Sequence, residues 1–344
     1  MKRTYRWLGV AAIGGIAGFL TERLVASPKY TGPVTDHFDG RRFHNQDPAP
    51  HGEGSFLKWI LNRDRGPWKP WTEAHYGPPP AERVDNGRLR VTFVNHATTL
   101  IQMDGVNILT DPVWSKRVSP LSFAGPKRHR PPGIRFEDLP KVDAIVISHN
   151  HYDHLDLATL RRIAKRDQPR IFVPLGDREL LSRHGVKGAV ELDWWNDSPI
   201  GSVRITLVPS QHFSARGFSD RDATLWGGYV ISGPSGNVYF AGDTGWGRHF
   251  EQIGKRFAPL RLAMLPIGAF RPRWFMSPVH IGPDEAVRAH DTLGASTSVA
   301  IHFGTFALGD DGETEPVDEL RKELSDGKER RFWVLGFGEG RDVP

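Results

Sequence analysis

Residues 149–154 read His-Asn-His-Tyr-Asp-His, four ligand-type side chains within six positions, directly after the apolar run VDAIVIS. Alternate residues of an extended segment point the same way, so His149 and His151 can share one cation. Asp153 and His154 lie past the bend and can reach a second. A lone histidine at a strand end is usually packed or solvated. Three histidines and an aspartate at a strand-to-helix junction are hard to explain as packing. The chain has no cysteine, which excludes disulfides and thiolate metal sites and leaves imidazole and carboxylate as the ligand chemistry.

Three more candidates each follow an apolar run: His212 after ITLVPSQ, Asp243 after VYFAG and His302 after TSVAI. Together they supply His149, His151 and His212 for one zinc, and Asp153, His154 and His302 for the other, with Asp243 bridging. Two divalent cations about 3.5–4 Å apart would polarise a shared water to hydroxide and clamp a tetrahedral transition state. The nitrogen and carboxylate donors suit zinc best, with iron or manganese as alternatives.

The elements that must position these groups are legible as well. RLRVTFVNH, TTLIQM and VNILTD read as a meander of short strands from residue 88 onward. VDAIVIS (142–148) reads as a strand buried on both faces, and 155–165 as a helix. Further strands are expected at RIFVP, SVRITLVP, WGGYVIS, NVYFAGD, LAMLPIG, TSVAIHF and RFWVLGF, and a helix over 283–293. Two sets of strands with interspersed helices predict a layered α/β sandwich.

Ahead of this domain, assigned to 87–344, stand two other segments. Residues 1–26 resemble a signal peptide or membrane anchor: Lys2, Arg3 and Arg6 precede fourteen uncharged residues, Trp7 to Leu20. The run is short for a full span, which needs about 17–25 apolar residues. No A-x-A cleavage signature is present, and Leu24-Val25-Ala26, directly after charged residues, comes nearest. The basic start favours export of the rest of the chain, so a membrane-associated, periplasmic location is expected, with the cytoplasm as the alternative. Residues 27–86 form a proline- and aromatic-rich extension in which Phe56, Leu57, Trp59, Ile60 and Leu61 predict a short helix; the stretch is expected to wrap the domain and pack on the core, with a membrane interface as the alternative. A net charge of +5 is compatible with an anionic partner but only mildly skewed.

The pattern H-x-H-x-D-H with later His, Asp and His resembles the metallo-β-lactamase superfamily, whose fold is a four-layer αββα sandwich. The blocks SHNHYDHLD, ELDWWN, PSQH, FAGDTG, EQIGKRFAPLRLAMLPIGAF, RPRWFMSPVHIGPDEAVRAH and IHFGTFAL resemble one family within it, the N-acylphosphatidylethanolamine-hydrolysing phospholipase D family. The resemblance covers about residues 86–340. It implies a two-zinc phosphodiesterase releasing phosphatidate and N-acylethanolamine, a phospholipid substrate, a membrane surface as partner and a homodimer. No nucleic-acid partner is expected. The leader lies outside the family's shared core, and 27–86 matches poorly, although the family uses its N-terminal region to shape the lipid groove.

Asp153 and Asp243 are then the catalytic carboxylates, joined by His280 in MSPVHIG, which could contact a phosphate oxygen or protonate the leaving alkoxide. His96 and Asp111 sit at strand ends, and the family places similar residues near its metals; Asp111 could equally be a turn residue before Pro112, and Thr244 could hydrogen-bond a ligand or finish a turn. KRHR (127–130) and Arg161, Arg162, Lys165 and Arg166 could attract anionic lipid, although charge on an exposed helix face is usually only solvated. The rival readings are a nuclease, lactonase or thioesterase of the same superfamily, or a non-catalytic metal- or lipid-binding protein at the membrane.

Overall fold

The structure, a computed structural model, describes residues 25–48 and 55–344, so the leader through residue 24 lies outside the described residues. The strands form two seven-stranded sheets. The first runs in the order β14 (Gly340–Val343), β1 (Leu89–Asn95), β2 (Thr98–Met103), β3 (Val106–Thr110), β4 (Ala144–Val146), β5 (Arg170–Pro174) and β6 (Val190–Leu192). The second runs β13 (Phe332–Trp333), β12 (Ser298–Ile301), β11 (Leu260–Pro266), β10 (Gly236–Phe240), β9 (Gly228–Gly233), β8 (Val203–Val208) and β7 (Asp197–Ile200). Each sheet is antiparallel on one side and parallel on the other, changing over at β3 and at β10.

Side-chain alternation explains why the sheets stack with helices outside. On β4, Ala144 and Val146 enter the core between the sheets, while Ile145 joins Leu160 and Ile163 of the helix Leu157–Asp167. Across the interior, Phe93, Ile101 and Met103 share a core with Leu207, Tyr229 and Ile231. The helices His249–Phe257 and Pro283–Leu293 add Phe250, Ile253, Ala286 and Leu293 to that core. The architecture is the αββα sandwich.

Several boundaries differ from the sequence reading for local reasons. The strand expected over 142–148 is laddered only at Ala144–Val146. Ile147 N–H still reaches Phe172 O, but Ser148 N–H donates instead to Asp111 Oδ1 at 2.7 Å, so the chain leaves the sheet just before the first ligand. The following helix starts at Leu157 because Asp156 caps it, accepting the N–H groups of Ala158 and Thr159.

The extension contributes to the fold: Phe38 and Phe43 belong to the main core, beside Tyr30. Its helix, Ser55–Leu61, meets that expectation of core packing only through one residue. Trp59 is buried and donates to Asp310, whereas Phe56, Leu57, Ile60 and Leu61 are 42–73% exposed. The KRHR cluster is likewise no free basic patch. Arg128 is buried against the carbonyls of Val113 and Ser115, and Arg130 pairs with Glu313. On the helix Leu157–Asp167, Arg162 lies over Phe136 and Arg166 pairs with Asp167, while Arg161 and Lys165 are exposed. Among the described residues no helix is long and apolar enough to cross a membrane.

Candidate metal centre

Every candidate ligand leaves from the end of a strand on one rim. His149, His151, Asp153 and His154 follow β4, His212 follows β8, Asp243 follows β10 and His302 follows β12. His96 sits in the turn between β1 and β2, and Asp111 follows β3. His96, Asp111 and His302 have left-handed backbones, with φ of 47°, 32° and 62°. Such conformations cost a non-glycine residue of order 1–3 kcal/mol and persist where the surroundings over-determine them.

The rim brings these side chains into four overlapping groups whose ligand atoms lie within 4.8 Å of one another: His149, His151 and His212; His96, Asp153, His154 and His302; His149, His154 and Asp243; and His212, Asp243 and His280. The first two match the sequence-derived triads, with His96 added to the second. Asp243 falls between them: its Oδ2 lies 3.2 Å from His154 Nε2 and 3.9 Å from His212 Nε2, and its Oδ1 lies 3.2 Å from His302 Nε2. His280 Nδ1 stands 3.9 Å from the same carboxylate.

Outer partners orient the rings. Asp111 meets His154 Nδ1 at 2.6 Å and is itself held by Ser148 N–H and Oγ–H. The His212 ring bonds the Val279 carbonyl through Nδ1 at 2.9 Å. His96 Nε2 lies 2.9 Å from Asp153 Oδ2. Among the described residues the Thr244 hydroxyl makes no hydrogen bond to a candidate ligand's side chain. It accepts Gln211 N–H at 2.9 Å and donates to Gly245 O, tying the His212 loop to the Asp243 loop.

Burial opposes charge throughout the cluster. It pushes His149 and His212 well below the usual imidazole range, and His151 and His280 down to about 4. Burial also lowers His302, but Asp243 and Asp153 outweigh it and raise that ring to about 9. His154 is raised in the same way, against burial, by Asp243, Asp153 and Asp111. Burial would raise Asp153 and Asp243, yet the charge of His154 holds both well below the usual carboxylate range. The centre therefore gathers positive charge between two ionised carboxylates, the charge a divalent cation supplies.

The donor atoms fit a metal by a second measure. His154 Nε2, His302 Nε2, His280 Nδ1 and Asp243 Oδ1 are buried and, although ion-pair partners stand 3.2–3.9 Å away, make no hydrogen bond of acceptable geometry. Leaving such atoms unsatisfied costs about 1–3 kcal/mol each, which a cation at their focus would relieve.

The sequence reading missed what holds His212. Asn45 of the extension donates from Nδ2 to the His212 carbonyl and accepts the His212 N–H. It also accepts Trp226 Nε1–H, while Gln211 Nε2 donates to Asp47 O. Above the cluster opens a cavity of about 800 Å³. His151, Asp153, His212, Asp243 and His280 line its polar side, and Phe43, Trp59, Phe213, Phe275 and Met276 its apolar side.

A double-sheet sandwich with this rim of ligands defines a metal-dependent hydrolase of the β-lactamase superfamily. The family model for the beta-lactamase superfamily domain matches residues 106–303. Two solved structures share the fold. Igni18, a metallo hydrolase from Ignicoccus hospitalis, is 24% identical with a TM-score of 0.55, over 75% of this chain and 99% of its own. An isothiocyanate hydrolase from Delia radicum gut bacteria is 22% identical with a TM-score of 0.57, over 73% and 98%. Sequence narrows the class. The chain is 43% identical over 267 residues to N-acyl-phosphatidylethanolamine-hydrolyzing phospholipase D 1 of Caenorhabditis elegans, covering 73% of this chain and 75% of that protein. It is 38% identical over 320 residues to an uncharacterized protein of Mycobacterium tuberculosis, covering 90% and 83%. The chain belongs to the N-acyl-phosphatidylethanolamine-hydrolyzing phospholipase D family.

Proposed function

We propose that this enzyme is a phosphodiesterase with two zinc ions per chain, cleaving N-acylphosphatidylethanolamine-type phospholipids to phosphatidate and N-acylethanolamine at a membrane surface. The observation that carries this reading is the cavity, with a ligand-lined polar side facing an apolar side of Phe43, Trp59, Phe213 and Phe275. A phosphodiester suits the first surface and acyl chains the second. The name of the Caenorhabditis elegans relative points the same way.

His149, His151 and His212 would hold one zinc, Asp153, His154 and His302 the other, with Asp243 shared. Zinc in such a pair supplies an activated water and neutralises charge on phosphoryl oxygens. The chain's own residues do the rest. Asp111 keeps the His154 ring turned toward the centre. The aromatic walls exclude bulk water from the reacting phosphate, which strengthens every charge interaction inside. In the hydrolysis, water adds to phosphorus, the P–O bond to the N-acylethanolamine breaks, and the departing oxygen takes a proton. His280, on the cavity wall beside Asp243, would offer an N–H to that oxygen.

The test is zinc-loaded full-length protein added to vesicles containing N-acylphosphatidylethanolamine, with both products measured by mass spectrometry. Cleavage of neither this lipid nor a chromogenic phosphodiester would overturn the proposal. Asp243→Asn should abolish turnover with the fold retained by circular dichroism.

A further inference from the structure

The apolar leader-like run ends at Leu20, and six residues on, Leu24-Val25-Ala26 is the nearest approach to a cleavage boundary. Immediately beyond that boundary, Ser27 is 5% exposed, and its backbone nitrogen lies 2.6 Å from Asp220 Oδ2. Its hydroxyl accepts a bond at 2.9 Å from Asn150, the second residue of the His-Asn-His-Tyr-Asp-His loop. Asp220 is 2% exposed and is held in place by the backbone N–H groups of Arg216 and Gly217. Arg216 closes the circuit by donating to the carbonyls of Asn150 and Leu155 at 2.7 and 3.1 Å. Nearby, Asp177 is fully buried and neither of its oxygens makes a hydrogen bond of acceptable geometry, although the Thr224 hydroxyl approaches it. Burial holds the Asp177 carboxyl well above the usual carboxylate range, so it adds no charge to this wall.

We propose that the leader is removed by hydrolysis of the Ala26–Ser27 peptide bond, and that the new α-ammonium of Ser27 docks on Asp220 behind the metal-ligand loop. Water adds across the amide: Ala26 departs as the carboxylate end of the leader, and Ser27 keeps the nitrogen, which is protonated. No other reactant is needed. A signal-peptidase-type protease reads small residues at the first and third positions before the cut; Ala26 supplies the first, and Leu24 departs from the pattern at the third. Because the Ser27 nitrogen is buried in the folded chain, cleavage precedes folding, as on a chain emerging from a membrane. An α-amino group is largely protonated at pH 7. Its bond to a carboxylate is stronger than that of the amide it replaces, because both partners are then charged. Chain ends normally fray unless tied down; here the end would be tied to the loop that presents four ligands.

The experiment is expression of the full-length gene with its own leader in a bacterium, then N-terminal sequencing and intact mass of the protein recovered from membrane and periplasmic fractions. A chain beginning at Ser27 is expected. One retaining Met1, or starting at any other residue, overturns the proposal. The ion pair has its own check. Asp220→Asn should lower the melting midpoint of the processed protein by about 2–4 °C more than that of a full chain whose processing is blocked by Ala26→Leu. Equal shifts would overturn the docking, and neither result bears on the lipid substrate.

Discussion

Asn45 and His212 clasp each other by two reciprocal hydrogen bonds: Asn45 Nδ2 donates to the His212 carbonyl at 2.7 Å, and His212 N–H donates to Asn45 Oδ1 at 3.0 Å. A residue of the N-terminal extension thus sets the backbone of a candidate ligand. Asn45→Ala leaves both His212 backbone groups without that partner, at about 1–3 kcal/mol. Metal affinity should fall roughly 10–100-fold, as when an outer partner of a metal ligand is removed. Competition with a chromophoric chelator measures it, and unchanged affinity would refute the clasp's role.

Asp111 offers a sharper version of the same test, because both of its oxygens are committed. Oδ1 accepts Ser148 N–H, and Oδ2 meets the Ser148 hydroxyl and His154 Nδ1. Asp111→Asn puts an amide donor against one of these groups and removes the charge facing His154. The variant should retain less than the wild-type complement of metal after dialysis, with roughly 10–100-fold weaker binding. Elemental analysis per chain reads this directly, without reference to activity.

The contrast between these two residues shows what the sequence made legible. His149, His151, Asp153, His154, His212, Asp243 and His302 stood out because metal chemistry restricts residue type and because each follows an apolar run. Asp111 could be placed by the family resemblance. Asn45 could not: carboxamides are common on surfaces, and its partner is 167 residues away. Likewise the edge strands Asp197–Ile200 and Gly340–Val343 carry no strand-like composition. They are strands because β8 and β1 offer them backbone partners. The helix Ser55–Leu61 was legible as a helix, but its periodicity could not say whether its apolar face meets the core or solvent.

The extension is also tied down by a titratable contact. His37 stacks on Trp194 at 4.4 Å and bonds Asp193 Oδ1 through Nε2 at 2.7 Å and Asp36 Oδ1 through Nδ1 at 2.6 Å. Burial lowers its pKa, but Asp193 and Asp36 outweigh burial and raise it above the ordinary value. A histidine whose folded pKa is raised stabilises fully below its unfolded value of about 6.5 and loses that contribution as pH climbs through the folded value. His37→Gln has no such proton to lose. The melting-temperature gap between wild type and His37→Gln should therefore be widest near pH 5 and shrink toward about pH 8. A gap that widens with pH would contradict this.

The last prediction separates membrane docking from chemistry. In the helix Ser55–Leu61, Phe56 and Trp59 line the cavity, while Leu57 and Leu61 do not and are 61% and 73% exposed. Beside them Lys58 lies over the half-exposed Trp274 ring. Apolar and aromatic side chains flanked by a lysine suit the interface between lipid headgroups and acyl chains. If this surface seats the cavity mouth on a bilayer, Leu57→Glu with Leu61→Glu removes apolar contact and adds charge facing an anionic surface. The expected outcome is at least a tenfold loss of sedimentation with anionic vesicles and of vesicle-lipid turnover, with hydrolysis of a soluble chromogenic phosphodiester changed less than twofold. Equal loss on both substrates would mean that the helix supports the site itself, and unchanged vesicle binding would place the docking surface elsewhere.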